Sequence, residues 1–194
     1  MPKIGMEPIR KEALVQATIA EIGAAGSLDV TVSQIAHRAG MSSALAHHYF
    51  GGKEQIFLAA MRRILTDFGA LVRKELRHAP RHKRAEAIIR SCFAPACFTP
   101  ATISAWTTFY VLAQHNPEAL RLWRIYQARL RLNLTHALRP LTDTPADAAN
   151  TLAALIDGLY IRAALDDPGS AETAGHQALD LLSLLTGFQS QNPH

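Results

Sequence analysis

The side chains best suited to chemistry in this 194-residue chain lie between residues 31 and 53, where hydroxyl, imidazole and ammonium groups follow one another closely. The imidazoles of His47 and His48 can each donate or accept a hydrogen bond, and the ammonium group of Lys53 can bind a phosphate. Adjacent residues on a helix point about 100° apart, so the two histidines are poorly placed to share one metal ion. The pattern therefore favours binding of nucleic acid over catalysis, and it predicts no metal site.

Residues 32–49, VSQIAHRAGMSSALAHHY, predict two helices and a tight turn that would position these groups. Gly40 falls at the turn, where a left-handed backbone is favourable only without a Cβ atom. Ala36 is small where the helices would cross, Met41 fits under the turn, and Ser42 can cap the second helix. Inward positions at helical spacing are Ile35, Ala39, Ala46 and Tyr49. The exposed face of the second helix would then fit a DNA major groove. That face consists of Ser43, Ala44, His47 and His48.

The stretch 31–57 resembles the DNA-binding signature of the TetR family of repressors. In that family an Ile-Ala pair is followed by Ala-Gly-hydrophobic-Ser, then an aromatic pair, then Lys-Glu at the start of a long helix. Here these elements are Ile35-Ala36, Ala39-Gly40-Met41-Ser42, Tyr49-Phe50 and Lys53-Glu54, with the spacing kept throughout. The chain departs from the family at Ala46, where a larger aliphatic residue is usual, and at His47, where many members have Tyr. Looser packing of the second motif helix and a different base preference are expected from these departures.

The resemblance implies contacts to the DNA backbone and to the bases. Tyr49 and Lys53 match the aromatic residue and the lysine that hold phosphates in such repressors, and the free N–H groups of a helix start support Lys53. Further phosphate contacts are predicted for Thr31, Ser42, Ser43, Arg38 and Lys11. Ala44 is small enough to touch a thymine methyl, and we expect His47 first and His48 second to contact base edges. The alternatives are solvated histidines, a Tyr49 that is plain core, and a Ser42 that is only a cap.

Composition and periodicity predict an all-α chain with two parts. The resemblance to TetR-family repressors implies a three-helix helix-turn-helix DNA-binding domain over residues 1–53, a long linking helix over 53–78, and a helical ligand-binding and dimerisation domain over 79–194. Residues 1–90 carry fourteen Lys and Arg against eight Asp and Glu, which suits a nucleic-acid-binding domain, although an enzyme can show the same asymmetry. Against an enzyme, Glu75 and His78 form the only Glu-x-x-His pair, whereas a di-iron bundle repeats that motif.

The cysteines and the apolar runs indicate the compartment. Cys92 and Cys97 have neither CxxC nor zinc-finger spacing and are expected to be reduced thiols. No apolar run reaches the ~18 residues of a membrane span, and the N-terminal sequence lacks the apolar segment of a signal peptide. We therefore expect a cytoplasmic protein with no membrane partner and no cofactor.

Aromatic residues cluster in the second half of the chain, where seven of the thirteen lie between residues 93 and 126. Several share helix faces through spacings of three or four residues. Such a cluster can bind a quaternary ammonium group through cation–π contact, worth roughly 1–2 kcal/mol for each desolvated ring. The predicted ligand residues are Trp106, Phe109, Tyr110, Trp123 and Tyr126, with Asp157 to offset the buried positive charge. The alternative is an ordinary aromatic core.

Three further segments are similar to a narrower group within the TetR family, the repressors of glycine betaine synthesis from choline. They are residues 1–10, MPKIGMEPIR, residues 103–110, ISAWTTFY, and residues 154–165, ALIDGLYIRAAL. The similarity implies a repressor of the genes for betaine synthesis and choline uptake, released by choline or a related quaternary ammonium. A TetR-type regulator of another ligand class, such as cationic drugs or lipid derivatives, would have the same DNA-binding motif and stays open.

Residues 154–165 and the last apolar segment, LDLLSLLTGF at 179–188, predict a dimer interface. Gly158 allows close approach of helices, and two helices from each copy would form a four-helix bundle. Contacts are expected from Leu155, Gly158, Leu159, Leu181, Leu184 and Leu185. Such a homodimer would present two motifs to a pseudo-palindromic operator in double-stranded DNA. The alternative is a buried helix pair within one chain.

Overall fold

The computed structural model describes residues 5–26, 29–165 and 171–187, and over those residues its regular secondary structure is entirely helical, which confirms the predicted all-α class. The helices are α1 (Met6–Ala25), α2 (Val32–Arg38), α3 (Ser43–Phe50), α4 (Lys53–His78), α5 (Arg84–Cys92), α6 (Pro100–Ala113), α7 (Pro117–Leu138), α8 (Pro145–Leu165) and α9 (Ala171–Thr186), with a 3₁₀ turn at Arg81–Lys83. Phe188, the end of the predicted last segment, lies outside the described residues. None of the described helices is long and apolar enough to cross a membrane.

Local sequence explains where the helices of the motif begin. Thr31 caps α2, because its Oγ1 accepts a hydrogen bond from the Gln34 backbone N–H at 3.1 Å. The Gln34 side chain accepts in return from the Thr31 backbone N–H at 2.7 Å. Ser42 caps α3 by accepting from the Leu45 backbone N–H at 3.2 Å. These caps satisfy N–H groups that have no partner within their own helix, so they fix where each helix of the motif starts.

Helix α1 holds the motif against the rest of the chain. It packs against α2, α4 and α6, and its side chains Leu14 and Ile22 are fully buried. The closest approach to α6 is at Gly23, where an added Cβ atom would lie 2.4 Å from the Cβ and 2.7 Å from the Cα of Ala101. Real Cβ atoms do not come so close to another backbone, so the crossing of α1 and α6 depends on glycine.

Helix α4 continues from the motif into the C-terminal helices. Near its start Ile56, Phe57 and Met61 are buried in the core, and farther along it packs against α5 and α7. Helix α7 packs extensively against α8, α6 contacts both, and α9 packs against α5 and α8. Side chains from α1, α4, α5, α6, α7 and α8 border a common interior cavity.

Replacing Gly23 by Ala is expected to destabilise the fold by roughly 1–3 kcal/mol, because the added methyl group forces α1 away from α6. Urea denaturation followed by circular dichroism measures the free energy of unfolding. Gly69→Ala is the matched control, since a Cβ added at Gly69 meets only the end of the Arg73 side chain, at 3.3 Å. Equal stabilities of the two variants would contradict the close packing at Gly23.

Candidate nucleic-acid interface and ligand cavity

The turn between α2 and α3 has the backbone geometry that the sequence predicts. Gly40 adopts a φ of 67°, and its N–H donates to the His37 carbonyl at 3.0 Å. The Met41 N–H donates to the Ala36 carbonyl at 2.9 Å, which closes the turn. Ala36 and Ala46 are buried where α2 and α3 pack together. Ala46 therefore anchors α3 in the core. Whether its small side chain loosens the packing of α3 is not tested by this burial, and the looser packing stays a prediction.

Helix α3 presents a polar face to solvent. Ala44, His47 and His48 are exposed, and Ser43 is half-buried. The two capping hydroxyls differ in what they can still offer to a phosphate. The Oγ of Ser42 accepts from the backbone and keeps its own proton for donation. The Thr31 hydroxyl lies 2.8 Å from the Oε1 of Gln34 and donates to it, so Ser42 is the better placed donor of the two.

The ring of His47 is held in one orientation by its own helix end. Its Nδ1 lies 3.1 Å from the carbonyl oxygen of Gly51. A carbonyl can only accept, so Nδ1 carries a proton and, in the neutral ring, Nε2 is an acceptor. Such an acceptor can receive a hydrogen bond from the exocyclic amino group of adenine or cytosine in the major groove.

Lys53 lies at the open end of α4. The N-cap residue, Gly52, has no side chain that could accept a hydrogen bond from this helix start, so the first N–H groups are available to a phosphate. The Tyr49 ring lies nearby on the motif, with Lys11 Nζ 5.9 Å from its centroid. Arg38 instead forms an ion pair with Glu21, whose side chain is only 16% exposed. The charge of Arg38 is therefore partly neutralised within the chain, and Lys53 is better placed to hold a phosphate.

An aromatic cavity of about 240 Å³ lies between α1, α4, α6, α7 and α8. Four of its lining side chains are aromatic: Phe68, Trp106, Tyr126 and Tyr160. The ring of Trp106 lies 4.6 Å from that of Tyr126 and 6.2 Å from that of Tyr160, and Phe68 meets Tyr126 edge-on at 6.2 Å. The Tyr160 hydroxyl donates to the Cys92 carbonyl at 2.6 Å, which fixes that ring. Together the rings form an electron-rich wall of the kind that attracts an organic cation.

One carboxylate, that of Asp67 on α4, also lines this cavity. Both of its oxygens accept from Nε of Arg63, at 2.7 and 2.9 Å. The ion pair is largely exposed, and Arg63 also pairs with Glu12 of α1. Because exposed ion pairs are weak, the Asp67 carboxylate can be shared with a bound cation.

Asp157, the anion that the sequence predicts, lies away from the cavity wall. It accepts hydrogen bonds from the Tyr110 hydroxyl at 3.0 Å and from the Gln127 side-chain amide at 2.6 Å. Burial raises the pKa of the Asp157 carboxyl above its ordinary value, and the two hydrogen bonds partly oppose that shift. The carboxylate of Asp157 therefore ties α6, α7 and α8 together behind the aromatic wall.

The structure places the other predicted ligand residues in different surroundings. Trp106 and Tyr126 line the cavity. Phe109 is fully buried against Phe57 of α4, and the lining does not include it, Tyr110 or Trp123. The Trp123 indole N–H is buried without a hydrogen-bond partner among the described residues.

Sequence reasoning missed Phe68, Tyr160 and Asp67. Phe68 belongs to the apolar stripe of α4, and its helical spacing predicts a core residue and not a ligand contact. Tyr160 follows Asp157 by three residues on α8, within the segment compared with betaine-synthesis repressors. Spacing along one helix could not show that these residues share a cavity, because α4 and α8 are far apart in the sequence and are brought together only in the folded chain.

The surface of α8 and α9 carries unpaired apolar groups. Leu165 is 81% and Leu184 80% exposed. Nothing lies within 4 Å of a Cβ atom added at Gly158, so a second helix has room to approach there. Of the predicted dimer residues Leu155, Gly158, Leu181 and Leu185 are half-buried. Leu159 is buried within its own chain and faces the interior instead.

Comparison with known proteins first defines the class. Residues 14–60 match the model of the bacterial regulatory proteins of the tetR family. A transcriptional regulator from Rhodococcus sp. Rha1 superposes with a TM-score of 0.82 at 21% identity, covering 94% of this chain and 99% of that one. A transcriptional regulator from Saccharomonospora viridis, solved in complex with choline, gives a TM-score of 0.77 at 21% identity, covering 89% and 95%. These likenesses define a TetR-type fold.

The C-terminal helices narrow the assignment. Residues 80–187 match the model of the BetI-type transcriptional repressor C-terminal domain. The HTH-type transcriptional regulator BetI of Brucella suis biovar 1 (strain 1330) is 52% identical over 178 residues, which cover 88% of this chain and 89% of that protein. The BetI of Agrobacterium fabrum (strain C58) is 50% identical, covering 85% and 82%. The chain belongs to the BetI-type transcriptional repressors of the TetR family.

Replacing Asp157 by Asn is expected to change how stability depends on pH. A carboxyl whose folded-state pKa is raised binds its proton more tightly in the folded protein, so its stabilising contribution is largest below pH ~4 and declines as pH rises. The melting temperature of the wild type, measured relative to that of the variant, should therefore fall as pH rises above about 4. Asp147→Asn, at an exposed position on the same helix, is the control. A constant difference between wild type and Asp157→Asn across that range would contradict the raised pKa.

Proposed function

We propose that this BetI-type repressor binds choline, or a closely related quaternary ammonium, in the aromatic cavity and then releases its operator. The main support for this proposal is that four aromatic rings and one carboxylate line the same cavity of about 240 Å³. They are the rings of Phe68, Trp106, Tyr126 and Tyr160 and the carboxylate of Asp67. Family membership supports it, as does the structural neighbour from Saccharomonospora viridis that holds choline. The regulated genes would be those for glycine betaine synthesis and choline uptake.

The lining of the cavity matches the two ends of choline. A trimethylammonium group carries diffuse positive charge, and each desolvated ring that it touches contributes roughly 1–2 kcal/mol. Asp67 supplies the negative charge that a buried cation needs. The hydroxyls of Thr99 and Thr102 lie on the same wall, 3.0 Å from each other, and can pair with the choline hydroxyl.

We infer a division of the chain that follows from these sites. Residues 1–53 would form the DNA-binding domain, the helix over 53–78 the link, and residues 79–194 the effector-binding and dimerisation domain. Helix α3 would enter the major groove and use His47, then His48, on base edges and Ala44 against a thymine methyl. Tyr49, Lys53, Ser42 and Ser43 would hold phosphates, with weaker contributions from Thr31 and Arg38.

A homodimer through α8 and α9 would supply the second recognition helix. The exposed Leu184 of α9 and Leu165 at the end of α8 are apolar groups that a second copy could cover, and the open space at Gly158 allows α8 to approach its mate. Two-fold symmetry would then match the pseudo-palindromic symmetry of an operator.

Helix α4 would transmit the effector signal. Its side chains Ile64, Asp67 and Phe68 line the cavity, and its first residue, Lys53, lies at the DNA-facing end. At that end the Asn116 amide, which also caps α7, donates to Glu54 at 2.8 Å. A ligand that moves α4 relative to α7 would therefore move the motif. For release to follow, choline must bind the DNA-incompetent arrangement more tightly than the competent one.

Asp67→Asn is expected to weaken choline binding roughly tenfold, the loss of one charge-assisted contact. Isothermal titration with choline, betaine aldehyde and a bulky cationic drug measures affinity, and operator release at fixed salt measures the response. Asp147→Asn is the matched control. Preference for the bulky drug over choline would favour a multidrug sensor. Unchanged operator affinity at saturating choline would contradict direct induction while leaving the repressor assignment in place.

Lys53→Ala is expected to weaken binding to operator and random DNA about equally and to reduce the salt slope by roughly one unit, because a phosphate contact is lost. His47→Ala should instead relax preference at one base position in each half-site, at roughly 1–3 kcal/mol. Fluorescence anisotropy on operator variants over a salt series separates the two effects. Lys74→Ala, at an exposed position near the far end of α4, is the control. Identical behaviour of the two motif variants would contradict this division of roles.

A further inference from the structure

A separate basic cavity lies at the end of α4 remote from the recognition helix. Helix α4 has 26 residues, so it separates its two ends by about 39 Å. The cavity has a volume of about 310 Å³ and is formed by the 3₁₀ turn, the start of α5 and the end of α7. Its charged or titratable lining consists of Arg81, Arg84, His136 and Arg139. It shares no residue with the aromatic cavity or with the proposed DNA-binding face.

The lining of this cavity carries an excess of positive charge, which favours binding of an anion. Three guanidinium groups and an imidazole face one space, and the lining includes no carboxylate. Arg38 pairs with Glu21 and Arg90 with Glu86, whereas Arg81, Arg84 and Arg139 form no ion pair with the residues that the structure describes. Like charges gathered without a partner repel one another, and an anion between them would remove that repulsion.

Arg84 provides a second, independent sign of a binding site. Its Nε is buried and has no hydrogen-bond partner among the residues that the structure describes. Folded proteins rarely leave a buried N–H unpaired. A guanidinium group donates through a planar fork that matches the oxygens of a phosphate, so an anion in the cavity would pair with this N–H once the Arg84 side chain turns toward it.

We propose that the cavity binds a small anion carrying phosphate groups. Its volume exceeds that of a single phosphate and suits pyrophosphate or a phosphorylated metabolite. The Arg84 and Arg139 guanidinium groups would hold the phosphate oxygens from α5 and from the end of α7, with Arg81 and His136 donating at the rim. Because α7 contacts both the 3₁₀ turn and α5, the bound anion would fasten these elements together next to the end of α4.

Isothermal titration of pyrophosphate into the full-length protein, at ionic strength held constant with chloride, tests the proposal. Saturable binding at one site per chain is expected in the wild type. Arg84→Gln and Arg139→Gln should each weaken it by about tenfold or more, since each removes a charge-assisted contact. Arg124→Gln, at an exposed position on α7 outside the cavity, should bind like the wild type. Having two variants keeps the test informative if one of them fails to fold.

A parallel titration with inorganic phosphate identifies the ligand more closely. Saturable binding that both cavity variants lose supports the site, and tighter binding of pyrophosphate indicates a ligand with more than one phosphate group. Absence of saturable binding, or equal binding by the cavity variants and Arg124→Gln, would overturn the proposal. So would a loss of random-DNA binding in the cavity variants with pyrophosphate binding unchanged, which would identify a DNA contact instead.

Discussion

The unbroken hydrogen-bond ladder of α4 is the constraint on which the rest of the structure depends. One helix carries Lys53 at its free N-terminus and Asp67 and Phe68 in the wall of the aromatic cavity. Fourteen residues of regular helix place these two positions about 21 Å apart. A helix neither bends nor stretches cheaply over that distance. A displacement of Asp67 and Phe68 that shifts α4 as a body would therefore also move Lys53.

Two kinds of interaction surround this helix, and they differ in strength. Buried packing by Ile56, Phe57 and Met61 fixes the first part of α4 in the core. The polar links from α4 to its neighbours, such as Arg62 with Glu118 and Arg63 with Glu12, are exposed. Exposed ion pairs contribute about 0–1 kcal/mol each. Such links can exchange partners without unfolding the core, which is compatible with the proposed movement of α4 when an effector binds.

The sequence predicted the motif well because its determinants are local. Thr31, Ser42 and Gly40 act on residues within a few positions of themselves, so the caps and the turn could be identified directly. Helix α3 starts after its predicted cap, Ser42, and α4 has its predicted bounds. The cavity was predicted only in part. Trp106 and Tyr126 line it, but spacing on one helix does not say which ring another helix brings opposite. Asp157 looked like the natural counter-ion, yet Tyr110 and Gln127 already use both of its oxygens.

The anchoring of Tyr160 has a consequence for how this family can diverge. Its hydroxyl donates to main-chain carbonyls of Cys92 and Cys97, at 2.6 and 3.3 Å. Carbonyl groups are present whatever side chains a segment carries. The connection between α5 and α6 can therefore accumulate substitutions while the ring keeps its place. Substitutions at Ala96 and Cys97, which line the cavity from that connection, would then change the shape of the cavity without displacing the Tyr160 ring.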